Sequence, residues 1–272
     1  MDEYAVFGAP IKHSLSPQIH RQFAEQTKQT LNYNAQLVSI DGFVEAVNTL
    51  QQKGGKGLNI TVPFKQQAYD FADSHTQRAQ RAAAVNTLKL NDDGQWIGEN
   101  TDGIGLVRDL IQRHQYVLKD KNILILGAGG AVRGVLAPLL AEKPQQITLA
   151  NRTVHKAVNL AKYFNDIANI NACGFKDLIG QQFDLVINGT AASLHGDIPP
   201  LPDDLFLPNA FAYDMVYNLE QATPFVKWVR QQNITAVDGL GMLVEQAAES
   251  FYFWRDVHPK TQPVIEKLQG IS

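Results

Sequence analysis

Asn122-Ile-Leu-Ile-Leu-Gly127-Ala-Gly-Gly-Ala131-Val-Arg-Gly-Val-Leu136 is the stretch on which the fold turns. Four branched aliphatics read as a buried strand, the glycines as a tight turn, and Val132, Val135, Leu136, Leu139 and Leu140 as the apolar face of a helix. Gly127, Ala128, Gly129, Gly130 and Ala131 then lie at a strand-to-helix junction, where backbone amides and the helix dipole meet a pyrophosphate. Val132 replaces the third glycine of G-x-G-x-x-G, so the motif is a variant, and a plain tight turn is its other use.

About twenty residues further on, an NAD site places Asp or Glu against the ribose 2′-hydroxyl. This chain instead reads Leu149-Ala-Asn151-Arg152-Thr153-Val-His-Lys156. Arg152 and Lys156 suit a 2′-phosphate, and a cation at a helix start is otherwise poorly placed against the dipole. NADP is therefore the cofactor expected.

Working outward, further βα units follow at 147–150, 185–188 and 211–214, with a Pro-rich loop expected over 198–208. Before the glycine turn, strands are expected at 5–7, 33–38, 58–61 and 85–90, giving a largely parallel sheet. Ser16-Pro17 and Asp41 offer helix caps, Asn91-Asp-Asp-Gly94 a hairpin turn, and Asp102 or Gly103 the start of a linking helix. From Gly239 the pattern is helical, with Leu240, Leu243, Val244, Ala247, Ala248 and Phe251 on one stripe. The class is α/β with two domains: an open α/β substrate domain over 1–102, completed by C-terminal helices over 239–272, and a Rossmann-type NADP domain over 103–238.

Composition narrows the function. A chain of 272 residues, 44% hydrophobic, can fill two modest cores, and a net charge of −3 gives no case for nucleic acid or an anionic membrane as partner. The single Cys173 allows no internal disulfide, and no Cys/His spacing suits a metal. Strand-like sequence begins near Met1, and no apolar run reaches membrane-spanning length, so a cytoplasmic protein acting on a small molecule is expected.

Five polar clusters sit where strands end or helices begin: 13–17, 59–65, 84–87, 98–102 and Glu245-Gln246. Each has a plain structural use. Ser14 and Ser16 can cap a helix or bind a carboxylate; Asn59 and Thr61 share one strand face, which needs partners or a ligand; Asn86 suits a turn. Lys65 starts a helix against the dipole and wants a carboxylate, whereas Asp102 is a sound N-cap. Together, Lys65 and Asp102 would form the proton-transfer unit that ketone reduction needs.

These motifs, together with Tyr213-Asp-Met-Val-Tyr217 and Asp238-Gly-Leu-Gly-Met-Leu-Val-Glu-Gln-Ala-Ala248, make a sequence that strongly resembles the shikimate dehydrogenases over almost its whole length. The resemblance implies NADPH-dependent reduction of 3-dehydroshikimate to shikimate on the route to aromatic amino acids. It implies that Lys65 and Asp102 are catalytic and that Ser14, Ser16, Asn59, Thr61, Asn86, Tyr217 and Gln246 bind substrate. Residues 127–131, Asn151, Arg152, Thr153, Lys156, Thr190, Met215 and Gly239 would meet the cofactor. Three positions depart from the pattern or lack a role: Gln77 stands where many relatives carry an acid, Ala191 where serine is common, and His195 has no assignment. A monomer or homodimer is expected. The alternatives are a quinate/shikimate dehydrogenase with broader cofactor use and a catalytically silent NADP-binding regulator.

Overall fold

Apolar alternation in the strands dictates where helices must cover them, and the computed structural model, which describes residues 1–270, shows two sheets built on this rule. Contacts divide the chain into Met1–Gly105 with the segment from Leu243 onward, and Leu106–Met242.

The first unit runs β1 (Asp2–Gly8), α1 (Ser16–Thr27), β2 (Leu31–Leu37), α2 (Phe43–Gln52), β3 (Gly55–Ile60), α3 (Lys65–Phe71), β4 (Ser74–His75), α4 (Gln77–Ala82), β5 (Thr87–Leu90) and β6 (Trp96–Glu99). The strand order is β2-β1-β3-β5-β6-β4. Ala5, Phe7, Leu58, Ile60 and Leu88 bury one face against Phe43, Val47 and Leu50 of α2 and Phe64 and Ala68 around α3. Each fully buried large side chain contributes about 1.5–3 kcal/mol. Ile19 and Phe23 of α1 pack on Val244, Ala247, Ala248 and Phe251 from the C-terminal helices.

The second unit begins within α5 (Asp102–Arg108), which continues as a π-helical turn over Asp109–Arg113. It continues through β7 (Asn122–Leu126), α6 (Gly130–Ala141), β8 (Gln146–Ala150), α7 (Val154–Tyr163), β9 (Asn171–Cys173), β10 (Phe183–Asn188), β11 (Phe206–Asp214), α8 (Pro224–Arg230) and β12 (Thr235–Val237). The remaining helices are α9 (Leu240–Arg255) and α10 (Gln262–Leu268). All pairings in the second sheet are parallel, in the order β12-β11-β10-β7-β8-β9, the doubly wound arrangement. Ile123 and Ile125 face Val132, Val135 and Leu136 of α6, whereas Leu124 and Leu126 face Phe225, Val226 and Val229 of α8.

Several local expectations are corrected. The first sheet is mixed, because β5 runs antiparallel to both β3 and β6, and β5 begins at Thr87 rather than residue 85. Ser16 is the first helical residue and caps nothing; Leu15 precedes it, and Ser14 Oγ accepts the Ser16 N–H at 3.3 Å. Gly42, not Asp41, precedes α2. Asp102 opens α5 as expected, but as its first helical residue and not as its cap: its carboxylate goes to Lys65 and Asn86, and its own N–H is held by the Asn100 side chain at 3.2 Å. The Pro-rich loop ends at Leu205, since residues 206–208 already belong to β11.

Candidate active site

β3 ends at Ile60, and a turn in which Phe64 N–H reaches Thr61 O at 3.0 Å starts α3 at Lys65. The Lys65 carbonyl accepts the Val85 N–H at 2.9 Å, which brings the segment before β5 alongside. β5 and β6 form the hairpin whose end delivers Thr101 and Asp102 to the same place. Lys65 Nζ therefore lies 2.5 Å from Asp102 Oδ2, with side chains only 23% and 10% exposed. The carboxylate offsets both the dipole penalty on Lys65 and its partial loss of water.

Asn86 fixes the other carboxylate oxygen: its Nδ2 donates to Asp102 Oδ1 at 2.8 Å and to Thr101 Oγ1 at 2.9 Å. Its Oδ1 accepts the Thr101 N–H at 2.9 Å and the Thr87 hydroxyl at 2.9 Å. Asn86 is thus a clamp on the end of the hairpin that carries Thr101 and Asp102, not a simple turn residue. Gln246 approaches through Oε1, 3.4 Å from both Asn86 Nδ2 and Thr101 Oγ1, while its Nε2 donates to Leu243 O at 2.7 Å.

Asn59 is buried and partnered: Oδ1 accepts from Tyr33 at 2.7 Å, and Nδ2 donates to Ser250 at 2.9 Å and Thr87 at 3.1 Å. Burial raises the Tyr33 phenol well above its usual range, an effect opposed by a hydrogen bond with Ser16, so Tyr33 stays a neutral donor. Ser16 is buried at this junction, while Ser14 and Thr61 are half-buried. Tyr33, Thr87, Thr101 and Ser250 belong to this network but were not singled out from sequence. Ser250 had a signal, since it lies one helical turn beyond Gln246.

In the second unit, Gly127 at φ +107° allows a turn that a side chain would strain, its Cβ position lying 3.1 Å from Gly189 O. Ala128 is half-buried, whereas Gly129, Gly130 and Ala131 are exposed at the start of α6, which carries no side-chain cap, and no atom occupies the space beside Gly129 or Gly130. This open, uncapped N-terminus fits a pyrophosphate. Asn151 Nδ2 holds Thr153 O at 2.8 Å, and Arg152 and Lys156 stand exposed at the start of α7, whose first turn has no acid. That donor set fits a 2′-phosphate.

The remaining expected residues are also in the second unit. Thr190 donates to Asn188 Oδ1 at 2.7 Å, Met215 N–H to Asn188 O at 2.9 Å, and buried Gly239 to Val216 O at 3.1 Å. Tyr217 follows β11, its phenol pushed up by burial. Gln77, Ala191 and His195 are all exposed. Among the described residues no group of His, Cys, Asp and Glu could hold a metal ion, and no helix is long and apolar enough to cross a membrane.

Comparison with known proteins agrees with this arrangement. Residues 6–88 match the family model of the shikimate dehydrogenase substrate binding domain, residues 109–195 that of shikimate/quinate 5-dehydrogenase, and residues 239–269 that of the shikimate 5′-dehydrogenase C-terminal domain. The chain is 55% identical to the shikimate dehydrogenase (NADP(+)) of Cellvibrio japonicus, over 98% of this chain and 97% of that one. Among solved structures, the Ael1 enzyme from Pseudomonas putida superimposes with a TM-score of 0.93 at 45% identity, covering 98% of each chain. The Thermus thermophilus shikimate 5-dehydrogenase, solved in complex with NADP(H) and shikimate, superimposes with a TM-score of 0.88 at 29% identity, covering 100% of each. With three family models in order along the chain and full-length relatives above half identity, the chain belongs to the shikimate dehydrogenase family.

Proposed function

We propose that the protein catalyses the reversible, NADPH-dependent reduction of 3-dehydroshikimate to shikimate, a step of aromatic amino acid biosynthesis. The observation that carries this reading is the Lys65–Asp102 pair, 2.5 Å apart and clamped by Asn86. Reduction of a ketone requires a proton at the oxygen as the carbon is reduced, and oxidation of the alcohol requires its removal. Lys65 and Asp102 perform that transfer as one unit, with Asn86 holding the carboxylate so that the ammonium keeps its direction. Ser14 and Ser16 bind the substrate carboxylate, and Asn59, Thr61, Asn86, Tyr217 and Gln246 bind ring hydroxyls or neighbouring groups.

NADPH, when bound, supplies the hydride. Residues 127–131 receive its pyrophosphate, Asn151, Arg152, Thr153 and Lys156 its phosphorylated ribose and adenine, and Thr190, Met215 and Gly239 its nicotinamide end. In this reading the segments 1–102 and 239–272 form the substrate domain, and 103–238 the cofactor domain. A free thiol at Cys173 and an NADPH-consuming biosynthetic reaction support placement in the cytoplasm.

The test is Lys65→Ala, followed at the nicotinamide absorbance band with shikimate and NADP. Turnover should fall by about 10²- to 10⁴-fold with little change in shikimate affinity. A variant that keeps most of its turnover would refute the assignment. Assaying quinate with NAD in parallel separates this activity from a quinate/shikimate dehydrogenase, against which Arg152 argues.

A further inference from the structure

Asp102 is held from two sides. Asn86 grips its carboxylate, as described; its backbone N–H is gripped by Asn100 Oδ1 at 3.2 Å. Asn100 is itself fixed twice: its Nδ2 donates to Ala84 O at 3.1 Å, and its own N–H donates to Glu99 Oε1 at 2.7 Å. The Glu99 carboxylate, almost completely buried, thus sets the backbone two residues before Asp102. A buried carboxylate at that point needs a cation.

Arg78 on α4 supplies it. Its Nε and Nη2 lie 3.1 and 2.9 Å from the two oxygens of Glu99, a forked contact, and Thr76 Oγ1 donates to Glu99 Oε1 at 2.8 Å. The same Nη2 reaches Glu249 Oε1 on α9 at 2.7 Å. α9 also carries Gln246 and Ser250, which join the Asn86–Thr101 network. One guanidinium therefore ties together α4, the end of β6 and α9, the elements flanking the proton-transfer pair. The planar fork matters: it alone can span both Glu99 oxygens while reaching a second carboxylate.

We propose that Arg78 is a positioning residue for the Lys65–Asp102 pair, acting through Glu99 and Asn100 on the backbone of Asp102. This rests on the proton-transfer reading given above. Arg78 touches neither member of the pair, so its loss lowers turnover through misplacement and leaves cofactor binding alone.

The experiment compares Arg78→Met and Arg78→Lys with Arg255→Met, measuring kcat, KM for shikimate and KM for NADP, with thermal melts to establish folding. Arg255 is the matched control, since it also bridges elements of the first unit, pairing with Asp2 and Gln29 away from the site. Expected for Arg78→Met is a kcat lower by about 10- to 100-fold at unchanged NADP KM, because small displacements of a catalytic group have effects of that order. Arg78 is 36% exposed, so methylguanidinium should restore part of the Arg78→Met turnover and do nothing for Arg255→Met. Arg78→Lys, with the charge but no fork, should recover only part of the rate.

The proposal is overturned by variants that turn over within about twofold of the parent, since misplacement predicts more. It is equally overturned by an Arg255→Met loss as large as that of Arg78→Met, by an NADP KM that rises in step with the fall in kcat, or by a folded, impaired Arg78→Met that methylguanidinium leaves unchanged. Should Arg78→Met not fold, Arg78→Lys decides: full turnover overturns the proposal, and reduced turnover at unchanged NADP KM supports it. Lys65→Ala in the same series keeps the two readings apart. If Lys65→Ala remains active the proton-transfer assignment fails, whereas an inactive Lys65→Ala beside a normal Arg78→Lys sinks the Arg78 proposal alone.

Discussion

In the proposed reading, Arg152 is the side chain that selects the cofactor. It stands exposed at the start of α7, where the helix dipole disfavours a cation unless an anion is bound nearby. A charge-assisted contact with a phosphate contributes about 1.5–3 kcal/mol, so Arg152→Glu should raise the apparent KM for NADPH by about 10- to 100-fold while barely changing that for NADH. Initial rates against each coenzyme check this, and equal losses for both would remove Arg152 from the phosphate. Single residues were legible where sequence and chemistry were local. Lys65, conspicuous at a helix start without a partner, pointed to its own carboxylate. Arg78 was not legible, because an arginine in a short helix looks solvated, and its partners lie 21 and 171 residues away. His20 was equally silent, since nothing in its neighbours along the chain reveals the aromatic stack around it.

At the scale of elements, what could be read depended on how far the determining contacts reach. The strand–turn–helix around Gly127 is encoded in fifteen consecutive residues and appears as expected. The direction of β5 depends on the hairpin to β6 and on which edge of β3 is vacant, so a largely parallel sheet was expected, whereas β5 runs antiparallel to both its neighbours. The caps at Ser16 and Asp41 were misplaced by one residue: Leu15 and Gly42 stand at the cap positions, and neither has a side-chain oxygen to cap with. The start of α9 is set by tertiary packing of the same hidden kind. Tyr213 Oη donates to the fully buried Asp109 at 2.6 Å and accepts the Met242 N–H at 3.2 Å, and Arg113 and His114 lie 3.7 and 3.6 Å from the same carboxylate. Gly241 passes so close that a Cβ would come within 1.9 Å of Asp109 Oδ1. Gly241→Ala should therefore cost about 1–3 kcal/mol by overpacking, seen as a lower urea midpoint. An unchanged midpoint would mean that this contact relaxes without cost.

For the molecule as a whole, stability rests on the apolar clusters of its two units, and the first unit contains an acid-sensitive element to which the proposed reaction assigns no role. His20 is completely buried, its ring stacked 4.2 Å from Tyr33 and tilted against Trp254 at 5.3 Å. Burial lowers its pKa from 6.5 to about 3, an effect only partly opposed by Asn59. The unfolded chain therefore binds a proton in the window from about pH 6.5 down to about pH 3 that the folded chain refuses. In that window the unfolded state holds more protons, so stability falls as pH falls, by up to about 1.4 kcal/mol per pH unit for this one group. Above the window the imidazole is neutral in both states and costs nothing extra; below it both states are protonated and the penalty stays constant. His20→Leu removes the titrating group while keeping an apolar side chain between the rings. Its urea-unfolding free energy, followed by tryptophan fluorescence, should decline less steeply between about pH 6 and about pH 4 than that of the parent, by about one proton's worth of slope. The comparison is of slopes, so any constant loss from altered packing drops out. Parallel stability curves for the two proteins across that range would show that His20 takes up its proton in the folded state as readily as in the unfolded chain.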